Sequence, residues 1–294
     1  MKVLISGSSG LIGSALAASL EADGHGVVRL RRSRRAGGAF FDAAPGDFEG
    51  ADAAVNLCGF GIMRRWTVAA KKEIERSRVE SAEFFSGIFS GLSRPPKVFL
   101  CASATGFYGS RGDEPLTEES AAGEGFLADV ARRWEDAAGS ASSPATRVAR
   151  LRFGVVLSNR AAMLRAAKAV FSLGLGAKAG DGSAWLSWIS LADAVRAMRF
   201  LIDSGGISGS VNIVSPSPVQ SGDFSRTVGS VLKRPVFFTV PERIIKLVLG
   251  EMGEEIILGG AKVVPRKLIK AGFRFEDEDL ETFLRSEIGG GRRG

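Results

Sequence analysis

The sequence predicts an α/β fold, a doubly wound parallel sheet, and three observations predict it. An apolar strand at Lys2 to Ser6 runs into the turn Gly7-Ser8-Ser9-Gly10-Leu11-Ile12-Gly13 and then into a helix. Further apolar runs of strand length alternate with segments of helical period, the pattern of β-α-β units. The 294 residues, 45% apolar and 24% charged, suit one large domain or two closely joined ones. That balance excludes a disordered chain, a collagen-like repeat and a disulfide scaffold. No apolar run approaches the roughly 18 residues of a membrane helix.

The N-terminus imitates an export signal, with Lys2 ahead of an apolar run. Gly7 to Gly10 interrupt that run, whereas an export signal needs it continuous. Strand, turn and helix (Leu11 to about Ala22) explain these residues better, and the expected compartment is the cytoplasm.

The glycines fall at GxxGxxG spacing. Gly7 permits the tight turn, Gly10 lets the amides around Ser9, Leu11 and Ile12 approach a pyrophosphate, and Gly13 lets the helix pack on the sheet. The anion then sits at the helix N-terminus. With a strand before, a helix after and a second strand at Val27 to Arg31, the turn reads as a Rossmann-type dinucleotide site. At the end of that second strand an NAD-preferring site wants an Asp or Glu for the ribose 2′-hydroxyl. Here stand Arg31, Arg32 and Ser33. A guanidinium can hold a 2′-phosphate bidentately where a carboxylate would repel it. The expected cofactor is therefore NADP(H), with Arg34 and Arg35 a solvated basic turn.

The charge agrees with a local site. Against 32 Asp and Glu, 39 Lys and Arg leave a formal net charge of +7. Arg29, Arg31, Arg32, Arg34 and Arg35, with Arg292 and Arg293 in the tail, equal that excess. A cluster of this kind suits a small anion rather than a nucleic-acid stripe. The expected partner is a small-molecule substrate, with neither nucleic acid nor a membrane. Cys58 and Cys101 lie in or beside apolar runs and form no CxxC pair, so they read as reduced thiols. His25, the single histidine, sits in a turn and offers neither a triad nor a zinc site.

Next comes a strand from Ala51 to Leu57, whose end at Leu57-Cys58-Gly59 passes the cofactor. Asp42 is either an acceptor for the adenine amino group or an ordinary loop acid. Thr67 to about Leu92 is a long amphipathic helix carrying Arg78, a further candidate cofactor contact. Arg94-Pro95-Pro96 breaks the chain before a strand at Lys97 to Ala102, and Ala102 completes the candidate cofactor set. Arg147 to Phe153 is another strand. Residues 172–184 form a Gly-rich mobile loop, followed by Trp185 and Trp188, which either wall a substrate pocket or belong to the core. Asp193 caps a helix over Ala194 to Asp203, and Asn212 lies on a short strand. Helices start at Ser221, at Pro241 (ending at Gly250) and at Arg266 (between Pro265 and Gly272). Gly289 to Gly294 read as a disordered tail.

Several segments carry a resemblance: SGSSGLIG (6–13), ERSRVES (75–81), SATGFYG (103–109), FLADVARRWE (126–135), LRFGVVLS (151–158), WLSWISLAD (185–193) and VVPRKLIKAGFRF (263–275). Through them the chain resembles the extended short-chain dehydrogenase/reductases, and within these the SulA-like epimerase family, described as nucleoside-diphosphate-sugar epimerases. The resemblance implies a smaller C-terminal α/β substrate domain. Residues 1–157 with about 191–213 would bind the cofactor, and about 158–190 with 214–294 the substrate.

The superfamily's chemistry needs a Tyr-x-x-x-Lys pair and a nearby Ser or Thr; the Lys lowers the Tyr pKa from about 10. This chain has one tyrosine, Tyr108, with Gly112 four residues on, and Phe126 and Val130 stand near the expected positions of the pair. Ser103 or Thr105 would supply the hydroxyl. Tyr108 either replaces the lost phenol beside Ser103 and Thr105, or packs as part of a Phe107-Tyr108-Gly109 corner. An epimerase returns its hydride and retains NAD, whereas a 2′-phosphate site suits net reduction. The expected function is hydride transfer to or from a small carbonyl or sugar-like substrate. The alternatives are a non-catalytic NADPH/NADP+ sensor and a nucleotide-sugar epimerase.

Overall fold

The computed structural model describes residues 1–33 and 40–289. The basic turn at Arg34 and Arg35 and the tail beyond Gly289 lie outside the described residues. Six strands form the central sheet: β1 (Lys2–Ser6), β2 (Gly26–Leu30), β3 (Ala53–Asn56), β4 (Val98–Ala104), β5 (Arg147–Phe153) and β6 (Gly209–Ile213). Their order is β6-β5-β4-β3-β1-β2, and every pairing is parallel. Such strands are covered on both faces, which is why β1, β3 and β4 read as nearly unbroken apolar runs.

The longer helices are α1 (Leu11–Ala22), α2 (Val68–Phe89), α3 (Phe126–Gly139), α4 (Ala162–Ser172), α5 (Leu191–Asp203), α6 (Ser221–Val231), α7 (Glu242–Leu249) and α8 (Leu280–Ile288), and a shorter one spans Arg266–Lys270. The Thr67 side chain caps α2 by accepting from the Ala70 amide. That helix buries Ile74, Ala82, Phe85 and Phe89 against the sheet, where Phe41, Phe48 and Phe99 meet them edge-on or tilted. The end of β2 continues into a bridge between Arg32 and Phe41, closed by bonds from Ser33 N to Phe40 O and from Asp42 N to Arg31 O.

A second apolar cluster gathers Leu157, Leu164, Phe171, Trp188, Phe224, Val228, Phe283 and Leu284 from α4, α6, α8 and the segments between. Two sequence expectations change here. The cap of α5 is Ser190, whose hydroxyl accepts from the Asp193 amide. Asp193 is instead fully buried, and its carboxylate accepts from the Glu276 and Asp277 amides. The helix starts at Leu191, three residues before the expected start, so Asp193 stands inside its first turn rather than at the cap, and the C-terminal segment takes its side chain. Within residues 172–184 the chain forms a strand, Ala177–Ala179, paired in parallel with Phe238–Val240.

Candidate functional site

The strand order reverses between β1 and β3, and in open α/β sheets ligands bind outside the carboxyl ends of the strands at that point. The glycine turn stands there. Gly7 adopts φ +71°, and a Cβ on it would lie 2.6 Å from the Leu57 carbonyl oxygen. A Cβ on Gly13 would lie 2.3 Å from the Gly7 carbonyl oxygen, so α1 touches the turn backbone. Helix α1 begins with no side-chain cap and no acidic residue in its first turn. Its free amides and positive dipole end are thus open to an anion beside Ser9, Leu11 and Ile12.

A buried polar row fixes the opposite wall. Asn56 Oδ1 accepts from the Ser6 hydroxyl (2.8 Å) and the Cys58 amide (3.1 Å), while its Nδ2 donates to Ser81 (3.0 Å). This holds Leu57, Cys58 and Gly59 against the turn. Burial pushes the Cys58 thiol up, which keeps it protonated. Above Gly59 lies Arg78, whose guanidinium would be 3.2 Å from a Cβ there. Arg78 Nη1 donates to the carbonyls of Phe60 and Ile74, and no carboxylate pairs with it among the described residues. Burial pushes its pKa down to about 10. A half-buried cation without a counter-charge among the described residues is one that an anionic ligand would complete.

At the far end, Arg31 and Arg32 are exposed and Ser33 is half-buried. Arg32 pairs with Glu73 of α2 at 3.3 Å and lies over the Phe40 ring at 5.2 Å. Asp42 is exposed beside this corner, and Ala102 is buried near the end of β4.

The structure separates the three candidate hydroxyls. Tyr108 is fully buried; its OH donates to Asn212 Oδ1 (2.7 Å) and accepts from Arg152 Nη1 (2.8 Å). Burial raises the phenol pKa against the pull of Arg152. Ser103 is buried and donates to Glu135 Oε1 at 2.7 Å. Thr105 is half-buried at the sheet's carboxyl edge, and its hydroxyl has no protein partner among the described residues.

Trp185 is half-buried, with Nε1 on Asp113 and Lys262 over its ring. Trp188 is fully buried, tilted against Phe283 in the second cluster, with Nε1 on the Ser217 carbonyl.

Sequence reasoning missed the residues that organise this region. Arg152 and Glu135 form a buried bidentate pair, at 2.7 and 2.8 Å, with Ser210 also on the carboxylate. The signal was present, since a buried strand that carries a charge requires a partner. Glu255 was also missed. It comes from the C-terminal segment and places both carboxylate oxygens on the amides that open α3. Nearby, Lys71 pairs with Glu251 and lies over the Phe126 ring, against which Trp66 also packs. The two expected positions of the superfamily's pair are thus apolar, with Phe126 packed and Val130 buried.

A parallel sheet with its glycine turn at the reversal point is a Rossmann-type fold, the fold of the short-chain dehydrogenase/reductases. An epimerase family protein of Mycobacterium bovis is 40% identical over 290 residues, spanning 96% of each chain. The crystal structure of the human epimerase family protein SDR39U1 with NADPH matches at a TM-score of 0.89 and 28% identity, over 99% of this chain and 100% of that one. A nucleoside-diphosphate sugar epimerase from Corynebacterium glutamicum matches at a TM-score of 0.80 and 34% identity, over 98% of this chain and 58% of that one. Residues 240–287 match a family model described as a domain of unknown function, DUF1731. The chain belongs to the epimerase family proteins that include SDR39U1. No helix among the described residues is long and apolar enough to cross a membrane.

Proposed function

We propose that this protein binds NADP(H) across the glycine turn and carries out hydride transfer to or from a small carbonyl or sugar-like substrate. The observation that carries the reading is the uncapped start of α1 together with Arg78, a half-buried cation beside Gly59 with no carboxylate partner among the described residues. Gly7, Gly10 and Gly13 with Ser9, Leu11 and Ile12 would cradle the pyrophosphate. Leu57, Cys58, Gly59 and Arg78 would wall it, and Ala102 would back the nicotinamide end. Arg31, Arg32 and Ser33 would hold the 2′-phosphate, and Asp42 would meet the adenine. The human relative crystallised with NADPH supports this choice. In this reading residues 158–190 and 214–294 form the substrate side, and Trp185, half-buried and reached by Lys262, is the better placed of the two tryptophans.

NADPH, when bound, supplies a hydride to a carbonyl carbon. The carbonyl oxygen then takes a proton from solvent while a hydroxyl at the sheet's carboxyl edge hydrogen-bonds it, and Thr105 is the candidate hydroxyl without a protein partner among the described residues. Ser103 and Tyr108 are each committed to buried partners. The same commitment favours a second reading, a sensor that binds NADPH or NADP+ without turnover. Cofactor-dependent carbonyl reduction that Thr105→Val abolishes would decide for the enzyme.

The first test titrates cofactor-stripped protein with NADPH, NADP+, NADH and NAD+, following tryptophan fluorescence and thermal stability. A bidentate Arg–phosphate contact contributes about 1.5–3 kcal/mol, or about 10- to 150-fold preference for the phosphorylated pair. That preference should disappear in Arg32→Glu. Equal or tighter NAD binding would overturn the pocket assignment and make the epimerase reading the stronger one.

A further inference from the structure

The chain concentrates positive charge a second time, far in sequence from the cofactor turn. Residues 165–180 carry Arg165, Lys168 and Lys178, and residues 224–241 carry Arg226, Lys233 and Arg234, with no Asp or Glu in either stretch and only Asp181, Asp223 and Glu242 bordering them. The fold brings the two together. Phe238 pairs with Ala177, Arg234 Nε donates to the Ser172 carbonyl at 3.0 Å, and Phe171 packs with Val228 and Val231 in the second cluster.

Large apolar side chains protrude from this junction. Leu173 is 76% exposed, Leu175 60%, Phe237 81% and Phe238 58%. Beside them lies an open recess of about 460 Å³ lined by Arg226, Ser230, Lys233 and Arg234 and by the apolar Pro235 and Val236. Arg226 pairs with Asp223, whereas Lys233 and Arg234 have no carboxylate partner among the described residues. Lys233 stands at φ +54°, backbone that L residues other than Asn and Asp seldom adopt. It closes the C-terminus of α6, where its amide donates to the Ser230 carbonyl and the Arg234 amide to the Gly229 carbonyl.

Against the expectation from composition that no membrane is a partner, we propose that this face docks on an anionic membrane surface, with lipid phosphates drawn to the recess and the Leu173–Leu175 and Phe237–Phe238 tips entering the interface. Protruding aliphatic and aromatic side chains ringed by cations are what an interfacial anchor requires, and each half of the pattern reinforces the other. A second copy of the chain would bring like charges together, which argues against self-association here. A nucleic acid would reward cations but not two exposed leucines. This surface lies outside the cofactor turn, and the proposal stands independently of the proposed function.

The test is flotation of the full chain with vesicles of phosphatidylcholine alone or mixed with phosphatidylglycerol. Binding should require the anionic lipid and weaken with salt. Each cation near such a surface is worth roughly fivefold, so K233E/R234E should weaken binding at least about 30-fold. F237S/F238S should leave the salt-sensitive encounter but lose binding at high salt. Thermal unfolding and NADPH titration of both variants check that the fold and the cofactor site are unchanged. Absence of binding to anionic vesicles overturns the proposal, as does binding that survives K233E/R234E. Tighter, charge-dependent binding to an oligonucleotide or an acidic peptide, or a dimer dissolved by F237S/F238S, would also overturn it and name the other occupant.

Discussion

The carboxylate of Glu255 accepts the Phe126 backbone amide at 2.8 Å across 129 residues of sequence. Its second oxygen takes the Leu127 amide at 2.9 Å. Helix α3 therefore begins at Gly125, which has φ +107° and offers no side chain, with its cap supplied from the C-terminal segment. The α3 N-terminus faces the sheet's carboxyl edge, so this one carboxylate ties the segment matching DUF1731 to the rim of the candidate site.

Glu255→Ala removes both acceptors and should cost about 0.5–2 kcal/mol, the range for losing an N-cap. The Glu251–Lys71 pair is partly exposed and contributes little by comparison. Hydrogen exchange should quicken in residues 126–130 and in residues 251–258 together. Faster exchange in only one of the two segments would show that the carboxylate does not couple them.

Glu135 and Arg152 should be the costliest pair to break. Both side chains are buried, and the guanidinium is also bonded to Tyr108 and stacked 3.5 Å over Phe107. Glu135→Gln leaves a buried cation without its counter-charge, and such losses run about 3–5 kcal/mol. Urea unfolding measures it. A loss below about 1 kcal/mol would mean that Arg152 reaches solvent or another acceptor.

The sheet was legible because its strands are apolar runs separated by turns that only glycine or proline chemistry explains. Lys2–Ser6, Leu11–Ala22 and Arg147–Phe153 fall where periodicity puts them. The glycine turn was legible for the same local reason. What escaped is tertiary. Whether Tyr108 meets solvent depends on Asn212, 104 residues away, and no local pattern announces that partner. Asp193 is a residue type that caps helices, yet the helix already starts at Leu191 and its carboxylate is taken by backbone amides more than 80 residues on. The short strand pairs of the C-terminal half, two or three residues each, carry too little periodicity to read.

Tyr108, the single tyrosine, can be titrated alone. Burial, partly offset by Arg152, raises its pKa above the ordinary value of about 10. The folded state then holds the phenolic proton more tightly than the unfolded chain. The stability this contributes is full below about pH 10 and is lost as pH climbs through the higher folded value. Tyrosinate absorbance should therefore rise later in the native protein than in urea. Native titration at or below the unfolded midpoint would contradict the buried placement.

Glu73 sets the last expectation. In the proposed cofactor site, Arg32 must exchange the Glu73 carboxylate for the 2′-phosphate, and the two lie 3.3 Å apart with Arg32 about half exposed. An exposed pair of this kind is worth about 0.2–1 kcal/mol. Glu73→Gln should release that competition and tighten NADPH by up to about fivefold, while leaving NADH unchanged because it carries no 2′-phosphate. Dissociation constants from tryptophan fluorescence read both. An equal gain for NADH would show a general effect of charge on the site rather than at Arg32. Weaker NADPH binding would show that Glu73 positions the guanidinium instead of competing for it.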